Sequence, residues 1–148
     1  MLDNLTSDMK LFFSASIRGG RNDVDFYAYL IDHLNTHGDV LTEHIGEQDV
    51  EAKEQAQGLT DAGIYEQDVE WLREADAVIA EVTTPSLGVG YEIGRAVAWG
   101  KPILALYRPD ADHELSAMVR GNPDVDVVEY ETLDDARPAI DAFLTEDV

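Results

Sequence analysis

Short apolar runs alternate with segments of helical period along the whole chain, and this alternation decides the fold class. Residues 10–16 contain Leu11, Phe12 and Phe13, as expected of a first strand. Over 22–37, Val24, Tyr27, Ala28, Ile31 and Leu34 fall on one helical stripe, which Gly38 stops. A second strand is expected over 39–44. Residues 47–58, polar and rich in Gln and Glu, read as a loop with at most one helical turn, near the active face. The helix expected over 61–75 runs directly into 76–82, a strand of the fully buried type. A helix on Val89, Ile93, Ala96 and Val97 follows over 87–99, closed by Gly100. Strands over 102–107 and 125–130, a short helix over 114–120 and a closing helix over 134–144 complete the chain. Five strands alternating with helices predict a doubly wound α/β domain. It has a five-stranded parallel sheet, flavodoxin- or Rossmann-like, with helices on both faces.

No repeat or Pro/Ser-rich linker interrupts the pattern, so 1–148 reads as a single domain, with 1–9 a poorly ordered segment before the first strand. Hydrophobic residues make up 45% of the chain, enough for a packed core and too many for a disordered acidic tail. Cysteine is absent, which excludes disulfides, thiolate metal sites and a cysteine nucleophile. No apolar run approaches the roughly 20 residues of a membrane span. The first residues lack the pattern of a secretory leader, so a cytoplasmic protein is expected. The 31 acidic residues outweigh 10 basic ones, for a net charge of −21. Such a field opposes nucleic acid polymers and anionic membranes. Its carboxylates are dispersed and only 3 of the 10 basic residues are lysine, a pattern suited to a surface kept soluble in concentrated salt.

In such sheets ligands bind beyond the carboxyl ends of the strands. The loop after the first strand, Ser14 to Arg21, combines two glycines with Ser16, Arg18 and Arg21. Backbone approach, a hydroxyl and a guanidinium fork suit a phosphate, although a plain βα turn with solvated arginines has the same composition. It is neither a Walker motif nor a full GxGxxG. The loop after the third strand places Ser86 and Gly88 at a helix start, again a position that favours anions. Glu92 follows on that helix, either complementing its dipole or serving a site. Asp68 is the clearest anomaly. Ile64, Trp71 and Leu72 surround it on one helical face, and a carboxylate there must be held by something. It could cap a neighbouring loop, or, paired with Glu92, give a two-carboxylate arrangement of the kind used in glycosyl transfer. His44, at the expected end of the second strand, is placed for a ligand contact. His33 and His37 stand four apart without an acidic partner at matching spacing, and read as surface residues; no metal site is expected.

Six strings occur in order: Ser16-Ile-Arg-Gly-Gly-Arg21, Leu41-Thr-Glu-His44, Glu66-Gln-Asp-Val-Glu-Trp-Leu72, Ala80-Glu-Val-Thr83, Pro85 to Val97, and Leu115-Ser-Ala-Met118. Together they resemble the 2′-deoxynucleoside 5′-monophosphate N-glycosidases, the Rcl-type branch of the nucleoside 2-deoxyribosyltransferase superfamily. The resemblance implies hydrolysis of a deoxynucleoside monophosphate to free base and 2-deoxyribose 5-phosphate, with no cofactor. It implies Glu92 as nucleophile and Asp68 as its orienting and proton-transferring neighbour. Ala15, Ser16, Ile17, Arg18 and Gly19 would hold the 5′-phosphate with Ser86 and Gly88, and His44 would border the base or sugar. Ser116 and Met118 would reach into a neighbouring subunit's site, which implies a homodimer. Base exchange by a 2-deoxyribosyltransferase, and a nucleotide sensor without turnover, are the alternatives. Two positions depart from the family pattern: Phe12 stands where a tyrosine would face the site, and Ala15 where the phosphate loop would begin with glycine.

Overall fold

The computed structural model describes residues 9–16, 24–46, 58–109 and 112–148. Five parallel strands form one sheet: β1 (Lys10–Ser14), β2 (Asp39–Val40), β3 (Ala77–Glu81), β4 (Ile103–Tyr107) and β5 (Asp126–Glu129), in the order β2-β1-β3-β4-β5. Among the described residues, five α-helices surround it: α1 (Val24–Leu34), α2 (Asp61–Glu74), α3 (Leu87–Ala98), α4 (Ala117–Arg120) and α5 (Leu133–Glu146). The expected doubly wound architecture is therefore present. The order reverses direction between β1 and β3, which puts the ligand crevice of such sheets beyond the ends of those two strands.

Side chains of successive strand residues point to opposite faces, and the two faces carry separate cores. Leu11 and Phe13 of β1, with Ala77, Ile79, Leu104 and Leu106, pack under α1 and α5. Phe12 lies on the other face with Val78, Ala80, Ile103 and Ala105, under Leu72 of α2 and Val89, Ile93 and Ala96 of α3. Each fully buried Leu, Ile or Phe contributes roughly 1.5–3 kcal/mol. A one-residue slip of β1 would turn Ser14 into one core and displace both phenylalanines, so the register is strongly specified.

Helix ends follow from local chemistry. Thr60 accepts from the Gly63 amide at 3.1 Å and starts α2. Thr132 and Asp135 form a reciprocal capping box at α5. Gly100, with φ of 70°, provides the left-handed residue that ends the turn after α3.

One expected element is much shorter. The second strand stops at Val40 instead of running to residue 44. The buried Thr42 hydroxyl accepts from the Phe13 amide at 2.8 Å and donates to the Phe13 carbonyl at 2.7 Å. A side chain thus occupies both backbone groups that a longer strand would have paired. The chain then turns into a 3-10 segment, Glu43–Gly46. Residues 1–8, and 47–57 of the loop expected over 47–58, lie outside the described residues.

Candidate active site

At the crevice, Ser14 ends β1 and pairs with Ala80 of β3. Ser14 shares its strand face with Phe12 and points toward α3, where its hydroxyl donates to Glu92 Oε1 at 2.7 Å. The start of α3 is set by Ser86, extended in its backbone, whose hydroxyl accepts from the Val89 amide at 3.3 Å. The Ser86 carbonyl takes the Gly90 amide at 3.1 Å. Leu87, 96% exposed, and exposed Gly88 open the helix toward solvent. A Cβ at Gly88 would meet only Ser86 Oγ, at 3.8 Å, so the protein's own packing does not demand glycine there.

Asp68 of α2 is half-buried, and its carboxyl is hydrogen-bonded to that of Glu92. The two acids suspected from the sequence thus meet. Part of Glu92 reaches solvent, yet its carboxyl lies deep enough that burial pushes its pKa up to about 8. The neighbouring Asp68 charge pushes the same way, and the hydrogen bond from Ser14 opposes both. A hydrogen bond between two carboxyls requires a proton on one of them, so the pair holds one proton between two acids. One member can then act as nucleophile or base while the other donates.

His44 is on the 3-10 segment rather than at a strand end, for the reason given above. Its ring lies 5.5 Å from that of Trp71, three residues beyond Asp68 on α2. Ala15 and Ser16 continue from β1 and are buried. Ile17, Arg18 and Gly19 lie outside the described residues. Ser116 caps α4, accepting the Met118 amide at 3.2 Å. Both residues are exposed, Met118 by 83%, away from any contact with Glu92 among the described hydrogen bonds.

Sequence reasoning missed Glu81. This residue ends β3 with no exposed surface and accepts from the Thr83 amide and hydroxyl, each at 2.8 Å, and from Tyr130. Arg108 Nη1 lies 3.9 Å away, stacked over Phe26 at 4.4 Å from the ring centre. Burial raises the Glu81 pKa against all these partners. The Arg108 amide in turn donates to Thr83 Oγ1 at 3.0 Å. Glu81 therefore ties the ends of β3, β4 and β5 together beside the crevice. The only hint was an acid closing an otherwise apolar strand.

The expectation for His33 and His37 is corrected. Their Nε2 atoms lie 2.7 and 2.6 Å from one oxygen of Asp141. That partner comes from α5, which packs beside α1 on the same sheet face. No spacing along the chain could reveal it.

The profile of the nucleoside 2-deoxyribosyltransferase family matches residues 11–129. The chain belongs to that family. Within this deoxyribosyltransferase family it is similar to the 5-hydroxymethyl-dUMP N-hydrolase of Rattus norvegicus, at 53% identity over 114 residues, covering 77% of this chain and 70% of the relative. The enzyme of the same name from Tetraodon nigroviridis is 43% identical over 139 residues, covering 93% of this chain and 98% of its own. Among solved structures, the CMP N-glycosidase BcmB of Clostridium botulinum shares the fold, with a TM-score of 0.61 at 18% identity over 89% of this chain and 98% of that one. No helix among the described residues is long and apolar enough to cross a membrane.

Proposed function

We propose that this deoxyribosyltransferase-family chain hydrolyses the N-glycosidic bond of 2′-deoxynucleoside 5′-monophosphates, releasing free base and 2-deoxyribose 5-phosphate. The observation that carries this is the Glu92–Asp68 carboxyl pair, anchored by Ser14 at the switch point of the sheet. Ionised Glu92 attacks the anomeric carbon as the base departs with the glycosidic electron pair and a proton from Asp68. The resulting deoxyribosyl ester is opened by water, whose proton passes to Asp68 while Glu92 leaves as carboxylate. A 2-deoxy sugar lacks the electron-withdrawing hydroxyl, so positive charge develops readily at that carbon, and a carboxylate beside it stabilises the charge. Phosphate held by Ala15 to Gly19, by Ser86 and at the open face of Gly88 fixes the geometry of attack, remote from the bond that breaks. His44 borders the base or sugar from beside Trp71.

The name carried by the rat and Tetraodon relatives points to a base-modified deoxynucleotide as one candidate substrate. Purified protein in high salt should release base from a panel of normal and 5-hydroxymethyl dNMPs, and Glu92→Ala should abolish release. Efficient exchange of bases between plain deoxynucleosides would instead favour a transferase. Tight dNMP binding without Glu92-dependent release would favour a sensor.

The same proposal includes a cytoplasmic homodimer, with Ser116 and Met118 serving the neighbouring site. Exposed Leu87, and Tyr65 in contact with Tyr91, are large side chains that such an interface would cover, as is Met118 on α4. Ser116→Ala should then raise KM for dNMPs while the protein sediments as a dimer. A fully active monomer would refute it.

A further inference from the structure

Two of the four histidines converge on one carboxylate oxygen, far along the chain from the crevice. His33 and His37, four residues apart near the end of α1, share a helical face. Asp141 reaches them from the middle of α5, and the three donor atoms lie within 4.8 Å of one another. The imidazoles are 18% and 20% exposed and the carboxylate 49%, so the cluster is packed by the helices yet open to solvent on one side.

Two imidazole nitrogens and one carboxylate oxygen make the three-ligand set, with a fourth position open, that borderline divalent ions of the zinc class take. The many dispersed carboxylates of the surface offer only oxygen, which suits magnesium and calcium. Imidazole supplies the discrimination. Metal–nitrogen bonds of about 2.0–2.1 Å set ligand-to-ligand edges of about 3.3 Å in a tetrahedral site. The present separations of 2.7 and 2.6 Å are shorter, so the half-exposed Asp141 need withdraw by only a fraction of an ångström for an ion to enter. Each histidine would then turn a lone pair from Nε2 to the ion and keep its proton on Nδ1.

We propose that His33, His37 and Asp141 bind one divalent transition ion of the zinc class, which ties the end of α1 to α5. These helices pack on the face of the sheet opposite α3, which carries Glu92. The end of α1 leads through Gly38 into the start of β2, so the cluster lies at the edge where strands begin, whereas the crevice lies where they end. The ion would therefore hold structure and take no part in the reaction.

Untagged protein stripped with a chelator and titrated with Zn2+ in excess Mg2+ tests this. Saturable uptake of one Zn2+ per chain is expected. At tenfold excess over the dissociation constant, Tm should rise by about 3–6 °C. His33→Gln and His37→Gln should each weaken binding at least tenfold and remove the shift, while His113→Gln retains both. With Cu2+ in place of Zn2+, electron paramagnetic resonance should show coupling to two imidazole nitrogens. No saturable uptake, or equal uptake by the His33 and His37 variants, would overturn the proposal. Should either variant fail to fold, the other variant and the Cu2+ spectrum of the wild type decide.

Discussion

Ser14 Oγ donates to Glu92 Oε1 across 2.7 Å, joining the carboxyl end of β1 to the second turn of α3. The family resemblance places a tyrosine hydroxyl two residues earlier, where Phe12 now lies in the core. Both positions face α3, so Ser14 supplies from the same side a donor that Phe12 lacks. A hydrogen bond to a charged group contributes about 1.5–3 kcal/mol. Ser14→Ala should lower kcat by about 10- to 100-fold with little change in KM. Because Ser14 holds the Glu92 pKa down, the variant's ionisation should also move to higher pH. A steady-state pH profile checks both.

The carboxyl pair makes stability depend on pH with a defined sign. Glu92 is raised from 4.5 to about 8, chiefly by burial and then by Asp68, so the folded protein keeps a proton that the unfolded chain releases. Stabilisation from that proton is complete below about pH 4.5 and is lost as pH rises through about 8. Urea midpoints in constant high salt should fall across this window, and less steeply in Glu92→Gln.

Asp68→Asn removes both the neighbouring charge and the donated proton. Base release should fall by about 10²- to 10⁴-fold. The alkaline limb of the rate profile, set in the wild type by loss of the shared proton, should disappear. A profile unchanged in shape would remove Asp68 from proton transfer.

Glu81→Ala should destabilise the fold by about 2–4 kcal/mol, since Thr83 and Tyr130 lose their buried acceptor. Glu81→Gln should cost less, because the buried acid already favours its neutral form. Urea unfolding of the three proteins measures the difference.

The field of −21 opposes an anionic substrate. Raising KCl from about 0.1 M to 1 M shortens the Debye length from about 10 Å to 3 Å. KM for dNMPs should therefore fall over that range. A KM that rises would mean that local phosphate contacts, rather than the general field, dominate the salt response.

Periodicity made the sheet and its helices readable, because each buried face leaves a repeat of two or about 3.6 residues. It could not show where β2 ends, since that depends on the Thr42 hydroxyl finding Phe13 across 29 positions. Asp68 stood out because its apolar neighbours are local, on one helix. Its meeting with Glu92 required α2 and α3 to pack side by side. Glu81 was hidden because its partners arrive from β4 and β5, and Asp141 because it lies 104 residues from His37.

The brevity of β2 determines how the protein can associate. An edge strand with unpaired amides and carbonyls is a template for another chain. Here one edge is two residues long and finished by a side-chain hydroxyl, and the other, β5, carries exposed Asp126 and Glu129. Both rims disfavour a further strand, whether from an extended peptide or from a second copy in fibrous growth, the first by its length and the second by its charges. Among the described residues, the helical faces are therefore the better-suited surfaces for assembly, and the sheet rims are poor templates in a crowded solution.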